Sequence, residues 1–297
     1  CKAVYSGSIP DSASRIMKIG IIGYGFVGKA LAFGLLDDVK ILKVDPKLDT
    51  SLNDLKIFEP DATFICLPTP MHNDGSQNTE IIKDTLKEIK KLEVKGLVII
   101  KSTVHPGNID QIQTIYPELI YNPEFLREKH ANEDFINSDL IVFGGKKNLC
   151  IALSKIYLKH TKCINKDHIF TDALTASLIK YTINSFLATK VIFFNEINSL
   201  FQATNTKESW DNFIEFISRD QRIGSSHMMV PGHDGRYGFG GACFPKDITA
   251  IVNYAKTLSV DLSILKDVIN SNNQIRAKYN TLTNRELEQN IKYNIKK

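Results

Sequence analysis

The chain has 297 residues, 43% of them hydrophobic and 24% charged, with a net charge of +4. That composition supplies ample apolar material for a core and excludes disorder along the whole chain. The balanced charge, without a basic block, argues against nucleic-acid binding, and no apolar run approaches the roughly 18 residues of a membrane span.

Residues 1–16 mix Ser, Gly, Pro and Asp and are read as a loose arm or an expression remnant, with Met17 as a natural start. No basic region followed by an apolar stretch marks a secretory leader there. Short apolar runs then follow at 18–22, 41–44, 62–67, 97–100, 119–121 and 140–143, separated by helical patterns such as 81–92. This alternation predicts βαβ units and an α/β domain over 17–171, a Rossmann-type doubly wound parallel sheet. From Asp172 to Ala203 there is no Gly or Pro, and apolar residues recur around most of the helix. One long, largely buried helix is expected, capped by Thr171 or Asp172, opening a helical domain over 172–280. Further helices are expected over 207–220, from Pro245 to about Leu258, and over 262–276. A loop with six glycines fills 224–244. The polar residues after Ala277, including 281–297, are read as a frayed tail.

The five cysteines (Cys1, Cys66, Cys150, Cys163 and Cys243) are odd in number, widely spaced and without a CxxC pair. They predict neither a disulfide framework nor a metal site, and suit a reducing, cytoplasmic setting. One stands apart. Cys243 lies in Gly238-Phe239-Gly240-Gly241-Ala242-Cys243-Phe244-Pro245-Lys246-Asp247, a glycine-rich loop running into a helix. Free N–H groups and the dipole at that helix start, with Lys246, are expected to favour a thiolate. Asp247, one turn on, is placed to accept a proton or orient water.

Gly23-Tyr24-Gly25-Phe26-Val27-Gly28 follows the first apolar run and precedes a helical pattern. The first glycine suits a tight turn, the second lets a pyrophosphate approach, and the third lets helix pack on strand. Asp45 ends the second run, where a carboxylate binds both ribose hydroxyls and repels a 2′-phosphate, favouring NAD over NADP. Pro68-Thr69-Pro70, Ser102-Thr103-Val104 and Asn122-Pro123-Glu124-Phe125-Leu126-Arg127-Glu128 each follow an apolar run. If the runs are parallel strands, all three segments lie at carboxyl ends, in the ligand crevice of such folds. Taken singly, they also read as a stiff turn, a helix cap and an N-cap pair. With Asn122-Pro123 opening a helix, Glu124 and Glu128 share one face and can do acid/base work or hold hydroxyls. Lys180 and Asn184 share a face of the long helix; a lysine there is costly unless paired or exposed. A nicotinamide site with a nucleophilic Cys points to oxidation through a thiohemiacetal to a thioester, then hydrolysis to an acid.

These motifs, in this order, resemble the UDP-glucose/GDP-mannose dehydrogenase family over residues 17–276. The resemblance implies oxidation of a nucleotide-sugar C6 alcohol to a carboxylate, with NAD used twice and UDP-glucose as first choice of substrate. GDP-mannose or a UDP-hexosamine is the rival substrate, and a weakened NAD-binding subunit needing a partner is the rival role. By the same resemblance Cys243 is the nucleophile, and Lys180 and Asn184 stabilise oxyanion character. Asp247 and Thr103 hold a water or receive the first proton, and Glu128 assists thioester hydrolysis. Gly23, Gly25, Phe26, Val27, Gly28, Asp45, Lys47, Pro68, Thr69, Thr103 and Lys246 form the cofactor set. Glu124, Phe125, Leu126, Arg127, Phe239, Gly240 and Arg236, with Lys180 and Asn184, form the substrate set; Arg222 is a further phosphate or partner contact. Family members continue into a third domain, so a short or truncated form is expected here. Its pocket would be completed by the 224–237 loop or by a second subunit, in a homodimer through the 172–203 helix.

Overall fold

Strands form where apolar runs can be buried on both faces, as a parallel sheet requires. The computed structural model describes residues 16–293; the N-terminal arm up to residue 15 and residues 294–297 lie outside them. The first strands and helices are β1 (Lys18–Ile22), α1 (Phe26–Gly34), β2 (Lys40–Val44), α2 (Leu52–Phe58), β3 (Ala62–Ile65), α3 (Glu80–Lys91), β4 (Leu97–Ile100), α4 (Pro106–Ile115) and β5 (Ile120–Tyr121). There follow α5 (Ala131–Ile136), β6 (Val142–Gly144), α6 (Lys147–His160) and β7 (Ile169–Thr171). The sheet order is β2-β1-β3-β4-β5-β6-β7, with β1 to β5 parallel. The order reverses between β1 and β3, the position where such sheets open a ligand crevice at their carboxyl ends.

The last two strands depart from the expected parallel sheet. β6 runs antiparallel to β5, and β7 runs parallel to β6. The connection from β5 to β6 carries only a 3₁₀ turn (Glu128–His130) and the six-residue α5, so the chain stays at one sheet edge and returns downward. β7 was not read from the sequence. It is a three-residue edge strand with Ile169 and Phe170 exposed, too short to show alternation.

The sheet separates two cores. Ile19, Ile21, Phe64 and Phe143 pack against α1, α5 and α6. Ile22, Ile65, Ile100 and Tyr121 pack against α2, α3 and α4. Beyond the sheet runs α7 (Ala173–Ala203), whose cap Asp172 accepts the Thr175 backbone N–H at 2.7 Å. Ala173 and Ala176 enter the second sheet core. Farther along, Phe194 packs with Trp210 of α8 (Trp210–Ser218). On another face Ala188 and Ile192 meet α9 (Phe244–Thr257) and α10 (Ser263–Arg276).

The expected frayed tail is ordered as far as residue 293. A capping box on Thr283 opens α11 (Asn284–Glu288), and the buried Glu286 accepts from Arg276 Nη2 at 2.7 Å. Asn290 Nδ2 donates to Met71 O at 3.0 Å, fastening the segment to the sheet domain. Its polar residues serve a cap and a buried ion pair rather than solvent. No helix among the described residues is long and apolar enough to cross a membrane.

Candidate active site

The glycine-rich turn between β1 and α1 has little room for side chains at two of its positions. Gly23 has φ +86°, and a Cβ there would lie 2.7 Å from the Cys66 carbonyl oxygen. A Cβ on Gly28 would lie 2.3 Å from the Gly23 oxygen, so α1 packs directly on the turn. At Gly25, the α1 N-cap, nothing lies within 4 Å, leaving an open cradle at a helix N-terminus. That cradle fits the pyrophosphate of NAD. Phe26 and Val27 form the first turn above it. Asp45 Oδ2 accepts the Tyr24 N–H at 2.7 Å and its Oδ1 the Lys47 N–H at 3.0 Å. Those two backbone donors hold the Asp45 carboxyl below the usual carboxylate range. The Lys47 side chain itself is exposed.

At the carboxyl ends of β3 and β4, Thr69 Oγ1 donates to the Thr103 carbonyl at 2.9 Å, while Pro68 stays exposed. Gln77 Nε2 donates to the same carbonyl at 2.8 Å and lies 3.1 Å from the Tyr181 hydroxyl of α7. Residue type and local pattern do not single out Gln77 or His105. Gln77 carries no motif; His105 stands before Pro106, a capping position, and its Nδ1 accepts the Gly107 N–H. Burial and the nearby Lys246 push the His105 pKa down to about 4.

The segment after β5 is not the helix that Asn122-Pro123 suggested. Residues 122–127 form a loop, because the Asn122 side chain bonds across the sheet instead of capping: its Nδ2 donates to Val142 O at 2.9 Å. Glu124 and Glu128 therefore do not share a helix face. Glu124 is buried, accepts the Leu126 N–H at 2.6 Å and pairs with Lys180 at 3.3 Å. Glu128 lies on the surface, 2.9 Å from Arg285 of α11. Arg285 also stands over the Phe26 ring at 5.6 Å, at the mouth of the glycine-rich turn. Nothing in the polar tail singled it out.

The buried Lys180 is paired, as its position required. Burial disfavours its charge, but Glu124, Cys243 and Asp247 outweigh that and raise its pKa. One turn on, Asn184 Nδ2 donates to Asp247 Oδ2 at 2.7 Å. The other Asp247 oxygen takes Lys246 Nζ at 2.5 Å, so the Lys246 ammonium faces its neighbour's carboxylate. Cys243 is the N-cap of α9. Its loop is pinned from both sides: Asn195 Oδ1 accepts the Gly238 N–H at 2.9 Å and Asn272 Oδ1 the Phe239 N–H at 2.7 Å. A Cβ on Gly240 would lie 2.2 Å from Arg276 Nη2. The thiolate expected at the helix start is not favoured here. Burial, then Asp247 and Glu124, push the Cys243 thiol up to about 11, and Lys180 and Lys246 offset only part of that.

A cleft of about 620 Å³ lies between the loop after β5 and the cysteine loop, lined by Phe125, Leu126, Arg127, Glu128, Gly240, Cys243 and Phe244 among others. His227 and His233 of the long loop line it too. Arg127 is held by Asp134 through Nε at 3.0 Å and Nη2 at 2.7 Å. Two expected phosphate contacts point elsewhere. Arg236 donates to Thr281 of its own chain at 2.6 Å and 3.0 Å, and Arg222 pairs with Asp220 on the surface. Among the described residues no group of three or more His, Cys, Asp or Glu could hold a metal ion.

The sequence matches two family models: the UDP-glucose/GDP-mannose dehydrogenase family NAD binding domain over residues 43–161 and the central domain of the same family over 174–274. It is 34% identical to a UDP-glucose 6-dehydrogenase of Rickettsia conorii, covering 87% of this chain and 67% of that protein. It is also similar to the structure of a UDP-glucose dehydrogenase from Pyrobaculum islandicum, with a TM-score of 0.71 and 27% identity over 90% of this chain and 70% of that one. A GDP-mannose dehydrogenase structure from Pseudomonas aeruginosa gives a TM-score of 0.58 and 25% identity over 88% and 70%. The chain thus spans about two thirds of the length of the curated relatives it matches.

Proposed function

The chain belongs to the UDP-glucose/GDP-mannose dehydrogenase family, with an NAD-binding domain, and from that premise we propose that it oxidises UDP-glucose at C6 to the carboxylate. One observation carries the reading: Cys243 opens a helix, lines a cleft, and sits beside members of two buried pairs, Lys180 with Glu124 and Asn184 with Asp247. NAD, when bound, accepts a hydride in each of the two oxidation stages. Gly23, Gly25 and Gly28 shape its cradle, and Asp45 faces its adenosine ribose. Asp247 and Thr103 take the proton of the C6 alcohol, directly or through a water. Cys243 Sγ then adds to the aldehyde, forming a thiohemiacetal whose oxygen is held by Lys180 Nζ and Asn184 Nδ2. Oxidation of that adduct gives a thioester. Water, assisted by Glu128 at the cleft rim, releases the acid and regenerates the thiol.

GDP-mannose and UDP-hexosamines are the competing substrates, and purified protein decides among them with NAD and each nucleotide sugar in turn. Two NADH per UDP-glucose, with much lower kcat/KM for the others, is the expected result; no NADH from any of them rejects the reading.

We further propose a homodimer through α7. Its Phe194 is covered within the chain, but Phe186, Phe193 and Leu200 are 63%, 53% and 62% exposed along one side. An apolar stripe of that length suits an isologous pairing of two long helices. The four described cysteines are free, which suits a reducing compartment, the cytoplasm.

A further inference from the structure

Lys180 and Lys246 are buried beside Cys243, and Lys101 is buried beside Glu124. Lys180 pairs with Glu124 and Lys246 with Asp247. Lys101, at the end of β4, has no carboxylate at ion-pair distance among the described residues. Its ammonium donates to Asn122 Oδ1 at 2.9 Å and to the Asn122 carbonyl and the Tyr157 hydroxyl at 3.4 Å each. The Phe135 ring lies 5.8 Å away. A buried ammonium without a carboxylate is costly, and an apolar side chain would suit this setting better for stability alone. Such a departure is expected where a site needs it.

What Lys101 holds is Asn122, and Asn122 is held from every side. Tyr157 donates to its Oδ1 at 2.6 Å, and its Nδ2 is bound to the β6 backbone. Two residues later the chain presents Glu124 to Lys180. A cavity of about 20 Å³ lies beside Lys101, Asn122 and Glu124, so this backbone has room to shift if its anchor is removed. We propose that Lys101 is a positioning residue for the oxidation: by fixing Asn122 it sets the loop that places Glu124 against Lys180. It also leaves the enclosed site with one positive charge more than its carboxylates balance. The proposal rests on the functional reading above.

The test compares Lys101→Met, which keeps the apolar stem, with Lys101→Gln, which keeps a donor. In Lys101→Met kcat falls about 10- to 100-fold, while the KM for NAD, bound at the glycine-rich turn, stays within about twofold. Lys101→Gln recovers at least part of the loss. A kcat within about threefold of wild type, or equal losses in kcat and NAD affinity, overturns the proposal. If Lys101→Met does not fold, Tyr157→Phe removes the other donor to Asn122 Oδ1 and should lower kcat at least threefold; an unchanged kcat is equally fatal. Wild-type protein inactive on every nucleotide sugar refutes the functional reading instead. In that case iodoacetamide labelling of Cys243, followed by peptide mapping, still judges Lys101. Lys101 faces Glu124 and Lys180, which both act on the Cys243 thiol, so a displaced Glu124 changes the labelling rate more than threefold in Lys101→Met, and an unchanged rate rejects the idea.

Discussion

Asn184 of the long helix α7 donates to Asp247 of α9 at 2.7 Å, and that contact locks the helix to the residue one turn beyond Cys243. Asp247 is fully buried and receives Lys246 on its other oxygen. Asp247→Asn keeps the shape but leaves the Lys246 ammonium buried without its charge partner. Unfolding free energy should fall by about 3 kcal/mol or more, and kcat by about 100-fold. Urea unfolding and initial rates measure the two effects separately.

Cys243→Ala should end acid formation and leave NAD affinity within about twofold of wild type, because the thiol and the glycine-rich turn lie on different elements. Product analysis with NAD titration checks both halves. Acid formed at the wild-type rate would exclude the covalent route.

The thiol also sets a pH dependence. Its pKa in the fold is about 11, above the unfolded value of about 8.5. Iodoacetamide labelling of Cys243 should therefore rise towards pH 11, not level off near 9. The sign for stability follows: the raised pKa contributes fully below the unfolded value, and the contribution is lost as pH rises through about 11. Comparing Cys243→Ala with wild type across that range isolates it, since the variant lacks the loss.

Asp45→Ala should lower kcat/KM with NAD by about 10- to 100-fold, from lost charged hydrogen bonds, and should change NADP much less. The ratio between the cofactors is the measurement, and a ratio equal to wild type contradicts the role given to Asp45. Tyr24, whose N–H the carboxylate accepts, makes some loosening of the turn part of the effect.

Light scattering at micromolar concentration should give about twice the chain mass. Phe186→Glu with Phe193→Glu should give a monomer with unchanged secondary structure. A wild-type monomer would remove the case for pairing through α7.

The repeating part of the fold was legible in the sequence because burial on both faces writes a continuous apolar run. The β1 and β4 runs match their strands end to end, and 172–203 matches α7 with its cap. Where polar side chains bond at long range, local pattern misleads. Asn122 looks like a cap but bonds across to β6, and Glu286 looks solvated but is buried against Arg276. The site showed the same divide. The cysteine loop and the i,i+4 pair on α7 were visible from spacing, whereas Gln77, Lys101 and Arg285 depend on partners 21 to 157 residues away. Electrostatics followed burial more than helix direction: the dipole at α9 argued for a thiolate, but the closed setting and two carboxylates prevail.

The reversal of β6 and β7 makes α7 a ruler. Because β7 runs against β1 to β5 and its last residue, Thr171, pairs with Gly144 opposite Tyr121 at the end of β5, α7 starts just below the carboxyl ends of the strands and rises past them. At 1.5 Å per residue Lys180 stands about 10 Å above Ala173 and Asn184 about 16 Å, which carries them past the carboxyl ends of the strands, to Glu124 and Asp247. Ser177 marks the level on the way, bonding the Val104 carbonyl just past β4 at 2.6 Å. Each residue of helix also turns by about 100°. Inserting or deleting one residue between 173 and 180 would therefore swing both side chains off the cleft, whereas the same change beyond Asn184 would leave them in place. Length is thus as strictly specified in the first two turns of α7 as residue identity is at Cys243.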